Sequence, residues 1–233
     1  MIDVSIIASA NRVKWWDRVA RSLDANDVSW ELVFVGDKDP CREIKGLRYI
    51  KASVRPAQCY EIGFREAQGR IVSLTADDAE YLPHALDYAV KNITDDKTFV
   101  HITSIEDGVD QTDWHRFFGK DGGPMMAPFL FMTKTLYHNL GGWDKRFVGG
   151  QGENDIILRA YQYGAKCVVC RDAKVLVHHN EVHGGVGRFR TEYHSHNRKT
   201  LLDMWVKDGV LSPVRLCEVN RFNDPISRWV DEW

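Results

Sequence analysis

Apolar residues in the first hundred positions fall into short blocks of two alternating kinds. Val4 to Ser9, Trp30 to Val35, Leu47 to Ile50, Ile71 to Leu74 and Phe99 to Ile102 are compact apolar runs of strand length. Between them, Val13 to Leu23 puts Val13, Trp16, Val19, Ala20 and Leu23 on one helical face. Pro56 to Ala67 reads as a helix stopped by Gly69, and Pro83 to Val90 as another with Pro83 in its first turn. Strands alternating with helices at this spacing predict βαβ units, hence an α/β fold with a mostly parallel sheet and helices on both faces.

The second half is patterned differently. Residues 105–124 are polar and glycine-rich and read as loops or a hairpin. Thr133 to Leu140 reads as a short helix ended by Gly141-Gly142. Gly152 to Tyr163 is an amphipathic helix with Gly164 past its end, and Lys166 to Val177 a strand or hairpin. A helix begins near Glu192 with Leu201, Leu202, Trp205 and Val206 as its apolar face.

In parallel sheets ligands collect at the carboxyl ends of the strands. Here those ends carry Ser9-Ala10-Asn11, Gly36-Asp37 and Ala76-Asp77-Asp78. Adjacent carboxylates at a strand end can hold a divalent cation that bridges a diphosphate, or can simply cap the next helix. Gly149-Gly150-Gln151-Gly152-Glu153-Asn154-Asp155 opens a helix with acidic residues, after the aromatic loop Gly141-Gly142-Trp143-Asp144. His178, His179, His183, His194 and His196 cluster late in the chain, where an imidazole at a strand end could ligate a metal. The Gly184 to Arg190 stretch, with Arg188 and Arg190, could close over a diphosphate.

Composition narrows the picture. The 233 residues suit one domain, or one domain with an appendage. A formal charge of -2 gives no electrostatic reason to expect a nucleic-acid partner, which ranks behind other acceptors. No run is long enough to span a membrane as a helix. Met1 to Ile7 reads as the start of the first strand, not as a leader. Five scattered cysteines predict free thiols and a cytoplasmic setting. Cys167 and Cys170 sit in a strand-like run, where positions three apart face opposite ways and cannot share one ion without a turn. Trp15, Trp16 and Trp114 lie among polar residues, where a ring could stack on a sugar face or simply join the core.

Four segments, in order, resemble glycosyltransferase family 2 and its glycosyltransferase A fold: Val4–Arg12, Val33–Asp37, Gly63–Asp78, and Gly141–Asp144 through Gly152–Asp155. The resemblance implies a Rossmann-like domain at 1–179, with a nucleotide-sugar half at 1–103 and an acceptor half at 104–179. A loop and helical extension follow at 180–233. It implies an inverting, metal-dependent transfer of one sugar from a UDP-sugar to a carbohydrate or other hydroxyl acceptor, with Mn2+ or Mg2+ as cofactor. Ser9, Asn11, Asp37 and Arg188 would hold the nucleotide, and Asp77 the ribose or the metal. Asp78 would bind the metal, with His179 completing the site or, as alternatives, His178 or His183. Asp155 would be the general base, with Glu153 a rival or helper, and Trp143 and Asp144 would face the acceptor.

The chain departs from the family pattern at Thr75, at Tyr60-Glu61 and at Asn154, and lacks the Gln-x-x-Arg-Trp of processive synthases. Two rival readings stand beside the resemblance. A nucleotidyltransferase would carry a glycine-rich loop after its first strand, and Ala8 to Arg12 has no glycine. A degenerate sugar- or nucleotide-binding domain draws support from Thr75 and Asn154.

Overall fold

A computed structural model describes residues 1–117, 123–178 and 188–211, the side chains of 114 and 188–194 excepted. Its first four-strand block is parallel, in the order β3 (Leu47–Lys51), β2 (Trp30–Gly36), β1 (Val4–Ser9), β4 (Ile71–Leu74). β8 (Leu130–Thr133) runs antiparallel between β4 and β6 (Thr98–Glu106). β9 (Lys166–Val177) follows parallel to β6, and β5 (Ala79–Tyr81) closes the edge antiparallel to β9. β7 (Val109–Asp110) hairpins back on β6. The sheet is thus mixed and mostly parallel, as the alternation of strands and helices predicts.

β1 reads as an unbroken apolar run because both of its faces are covered. Ile7, Val33 and Val35 point into one apolar layer with α2 (Pro56–Glu66), α5 (Gly152–Gln162) and the Leu201–Trp205 end of α6 (Arg188–Trp205). Ile6, Ala8, Leu32 and Phe34 point the other way, onto α1 (Val13–Ser22) and α3 (Ala85–Lys91). The period-two alternation of strand side chains is what separates the two layers. α4 (Lys134–Asn139) is capped by the Thr133 hydroxyl, which accepts from the Leu136 N–H at 3.1 Å.

Several sequence expectations need adjustment. β5 and β8 are strands of three and four residues that the pattern did not reveal. Both are antiparallel insertions whose partners lie far along the chain, so no local alternation announces them. Pro83 precedes α3 instead of opening it, because His84 adopts a left-handed conformation (φ 61) before the helix starts. Cys167 packs in one apolar layer and Cys170 in the other, and both are free thiols.

Candidate active site

The strand order turns back at β1: β2 and β3 lie on one side and β4 on the other. Such a switch point leaves a crevice at the carboxyl ends of the strands. Asp77, just beyond β4, ties this corner together. Its Oδ2 accepts the backbone N–H groups of Asn11 (2.8 Å) and Arg12 (2.6 Å) and the Trp16 indole N–H (3.0 Å). Its Oδ1 pairs with the Arg12 guanidinium at 2.5 Å. Asp77 is 0% exposed, so its carboxylate is committed to the chain itself and not presented to a ribose or metal. Asp78, also buried, lies 3.5 Å from Arg12 Nε. Burial disfavours the guanidinium charge, but the two aspartates outweigh it and raise the Arg12 pKa. Thr75, where the family pattern has an acid, accepts from the Tyr81 hydroxyl at 2.9 Å.

Beside this corner opens a cavity of about 390 Å³ lined by Asn11, Arg12, Val13, Lys14, Trp15 and Lys38. Gly36 makes the adjoining loop approach possible: a Cβ there would lie 1.9 Å from the Ala10 carbonyl oxygen. Ser9 is half-buried at the end of β1, near the Cys59 thiol, and Asp37 is exposed at the end of β2. Trp15 and Trp16 are buried, which removes them as open sugar platforms. Trp16 is core, but the Trp15 indole N–H has no acceptor among the described residues. The Trp15 ring stacks on His178 (centroids 6.2 Å apart), and Arg18 lies 4.9 Å from its centroid. His178 and Arg18 both hold Glu80, each at 2.7 Å. His179 and the Arg188 side chain lie outside the described residues, as do Trp114's side chain and His183.

The second half of the site is the start of α5. Gln151 caps the helix in a left-handed conformation (φ 77), and its N–H donates to Glu153 Oε1 at 3.0 Å. Glu153 is half-buried, and its pKa is raised, because burial penalises the charged form by more than the backbone donors favour it. Asp155 is 0% exposed and fully engaged. Arg159 reaches its Oδ2 from Nε (2.9 Å), and the Trp205 indole donates to Oδ1 (2.8 Å). Of the two acids expected in catalysis, Glu153 alone keeps solvent access.

Trp143 and Asp144 do not form an open acceptor wall. Trp143 is 1% exposed, stacked on Tyr60 at 5.1 Å and pressed against Gly152. Asp144 is buried and paired with Arg146, 2.9 Å from Nε. The loop is positioned by Glu61, a residue the sequence did not single out as functional. Its carboxylate accepts the Trp143 N–H (2.9 Å) and the Tyr137 hydroxyl (2.6 Å) and pairs with Arg65 (2.6 Å). Tyr60 links the halves: burial pushes its phenol pKa up, and the charges of Glu153 and Asp77 push it further. Arg159 was missed although its spacing from Asp155, four residues along a helix, marks a natural ion pair.

The resemblance implies a divalent ion at Asp78 and His179. Asp77 accepts four donors from the chain itself, Asp78 faces a guanidinium, and His179 lies outside the described residues. Among the described residues, no set of three ligands for a divalent ion forms at this corner. Among them, Asp27, His84 and Asp87 could converge on one, but that group sits before β2, at the opposite edge of the sheet. Asp87 is already satisfied there by the N–H groups of Asp27 and Val28 and by His84.

Comparison with solved structures decides the architecture. The chain superposes on S. aureus TarS (residues 1–349) with a TM-score of 0.58 at 13% identity, over 77% of this chain and 61% of that one. It has the glycosyltransferase A fold. The same TarS in complex with UDP matches with a TM-score of 0.57 at 13% identity, over 76% of this chain and 60% of that one. GalNAc-T7 with UDP, GalNAc and Mn2+ matches with a TM-score of 0.63 at 13% identity, over 88% and 48%. The chain thus spans about half to three fifths of the lengths of these structures. No protein-family model and no curated protein sequence matches it. No helix among the described residues is long and apolar enough to cross a membrane.

Proposed function

We propose that the protein transfers one sugar from a UDP-sugar to the hydroxyl of a carbohydrate or similar acceptor, with inversion at the anomeric carbon. The observation that carries this reading is the basic cavity at the carboxyl ends of β1 and β2, with Arg12, Lys14 and Lys38 around Trp15. It sits at the switch point of a fold whose solved neighbours were crystallised with UDP. Ser9, Asn11 and the exposed Asp37 lie at the same edge and suit the nucleoside end of the donor.

Glu153 is the general base of this proposal. Its raised pKa makes it a stronger base than an ordinary carboxylate while it keeps solvent access. The acceptor oxygen attacks the anomeric carbon, its proton passes to Glu153, and the bond to the diphosphate breaks with its electron pair staying on the phosphate oxygen. One displacement of this kind inverts the anomeric configuration. Asp155 acts through position: it fixes α5 on the Arg159 and Trp205 side chains and so sets the helix that presents Glu153.

The test is a thermal-shift screen against UDP, GDP, CMP and dTDP. A ligand near a hundred times its Kd should stabilise by about 2.7 kcal/mol. UDP is expected to give the largest shift, and no shift with any nucleotide would discard the donor assignment. A non-catalytic binding domain is the second reading, favoured by the full engagement of Asp155 and the Thr75–Tyr81 contact. UDP binding without turnover of any UDP-sugar, hydrolysis included, would select it.

A further inference from the structure

We infer that Glu61 is a positioning residue for the general base: from α2 it fixes Trp143 against the first residue of α5 and thereby sets where Glu153 stands. The inference rests on the glycosyl-transfer reading and deepens it.

Glu61 is tied to the sheet. α2 lies so close on β1 that a Cβ at Gly63 would meet the Ile7 side chain at 2.4 Å, and Ile62 and Phe64 share the apolar layer of Ile7, Val33 and Val35. From this helix the Glu61 carboxylate, 4% exposed, engages both of its oxygens. Oε1 takes the Arg65 guanidinium at 2.6 Å. Oε2 accepts the Tyr137 hydroxyl at 2.6 Å and the Trp143 N–H at 2.9 Å. An ionised acceptor holds such donors roughly twice as strongly as a neutral one. One carboxylate oxygen therefore spans the Gly141-Gly142 turn, from Tyr137 in α4 before it to Trp143 after it. The turn accepts no side chain at Gly142, where φ is 80 and a Cβ would lie 3.0 Å from the same oxygen.

Trp143 passes this position on to α5. Its ring stacks on Tyr60 at 5.1 Å and lies 6.5 Å from Phe64, so α2 grips both the backbone and the indole of one residue. A Cβ at Gly152 would meet the indole nitrogen at 2.4 Å, so the ring bears on the first residue of α5, next to Glu153. Arg159 holds the same loop from α5, reaching the carbonyls of Leu140 and Gly142 while it pairs with Asp155. The loop is thus fastened by a carboxylate of α2 at an N–H and by a guanidinium of α5 at its carbonyls. Without the carboxylate, the Trp143 N–H and the Tyr137 hydroxyl lose their shared anchor, and the start of α5 loses the fixed ring it rests on. Burial, and after it the charge of Glu153, raise the Tyr60 phenol pKa, which puts Glu153 beside the Tyr60–Trp143 stack. Loosening that stack therefore both displaces Glu153 and admits water to it. A reacting group displaced by about 1 Å can lose about a hundredfold in rate.

The experiment is turnover of a UDP-sugar by the full chain, hydrolysis included, with kcat followed against pH and UDP affinity measured by isothermal titration. Glu61→Gln should cut kcat by about tenfold or more while UDP binds within about threefold of wild type. The acid limb of kcat should move to lower pH, toward 4.5, because a Glu153 opened to water loses the burial that raises its pKa. In a Glu153→Gln background, Glu61→Gln should add no further loss, since its effect runs through that carboxylate. If circular dichroism shows Glu61→Gln unfolded, Trp143→Phe, which removes the ring contact with Gly152, carries the same three expectations. A folded variant with the kcat of wild type, an unmoved acid limb, or a loss that adds to that of Glu153→Gln would overturn the inference and leave the transfer reading intact. A wild type that turns over no UDP-sugar would overturn both.

Discussion

Arg159 holds Asp155 from one turn further along α5, with Nε at 2.9 Å and a terminal nitrogen at 2.8 Å from the same carboxylate oxygen. Its remaining donors reach the carbonyls of Leu140 and Gly142, the latter at 2.8 Å. One guanidinium therefore fastens the start of α5 to the loop that ends α4. With Asp155 and Arg159 at 0% and 5% exposure, the pair is a buried one whose halves depend on each other.

Asp155→Asn should act on stability. Removing one partner of a buried ion pair costs about 3–5 kcal/mol, because the other charge is left in the interior. Chemical denaturation should show a loss of this order. The folded fraction should retain UDP binding, and a fully stable variant would show that Arg159 finds other compensation.

Glu153→Gln should leave folding and UDP affinity near wild type and cut kcat by on the order of a hundredfold or more, as expected for a general base. Steady-state kinetics with a UDP-sugar would show it. Unchanged kcat would remove Glu153 from the mechanism.

The pH profile of kcat offers a second check on Glu153. A base works only when ionised, and its pKa stands above the ordinary carboxylate value of 4.5. Activity should therefore fall, as pH is lowered, already above that value. An acid limb at or below 4.5 would contradict the burial argument.

His101 sets an acid limit on stability. Burial, reinforced by repulsion from His115, lowers its pKa from 6.5 to about 4. The folded state thus keeps it neutral while the unfolded chain takes up a proton below 6.5. Stability is full above that pH and is lost as pH falls toward 4. Between pH 7 and pH 5 the loss should be on the order of 2 kcal/mol, at 1.36 kcal/mol per pKa unit. Urea denaturation of wild type and His101→Asn at both pH values would check it: the variant should lose much less on acidification.

Gly152→Ala should destabilise through the Trp143 ring. A Cβ there would meet the indole nitrogen at 2.4 Å, backed by the Tyr60 ring stacked on Trp143. Overpacking of this kind costs about 1–3 kcal/mol. A lowered Tm together with a raised KM for the acceptor is expected, since the start of α5 would shift.

The sequence by itself determined the parallel strands β1 to β4 and the helices that cover them, but not the antiparallel β5 and β8. Runs such as Val4–Ser9 and Trp30–Gly36 must be covered on both faces, and the α1 and α5 patterns have one face each to bury. It also brought Ser9, Asn11, Asp37, Asp77 and Asp78 to one edge, because polar residues at the ends of parallel strands share an edge by topology. What it left open was which acids are available for chemistry. Asp77 is closed by Asn11, sixty-six residues away, and Asp155 by Trp205, fifty residues away. Burial and pairing are properties of the assembled molecule, set by side chains that meet only after the chain has folded. An aspartate in a motif and an aspartate locked in an ion pair look identical in sequence, so tertiary structure alone placed Glu153 in reach of solvent and Arg12 against the acidic pair.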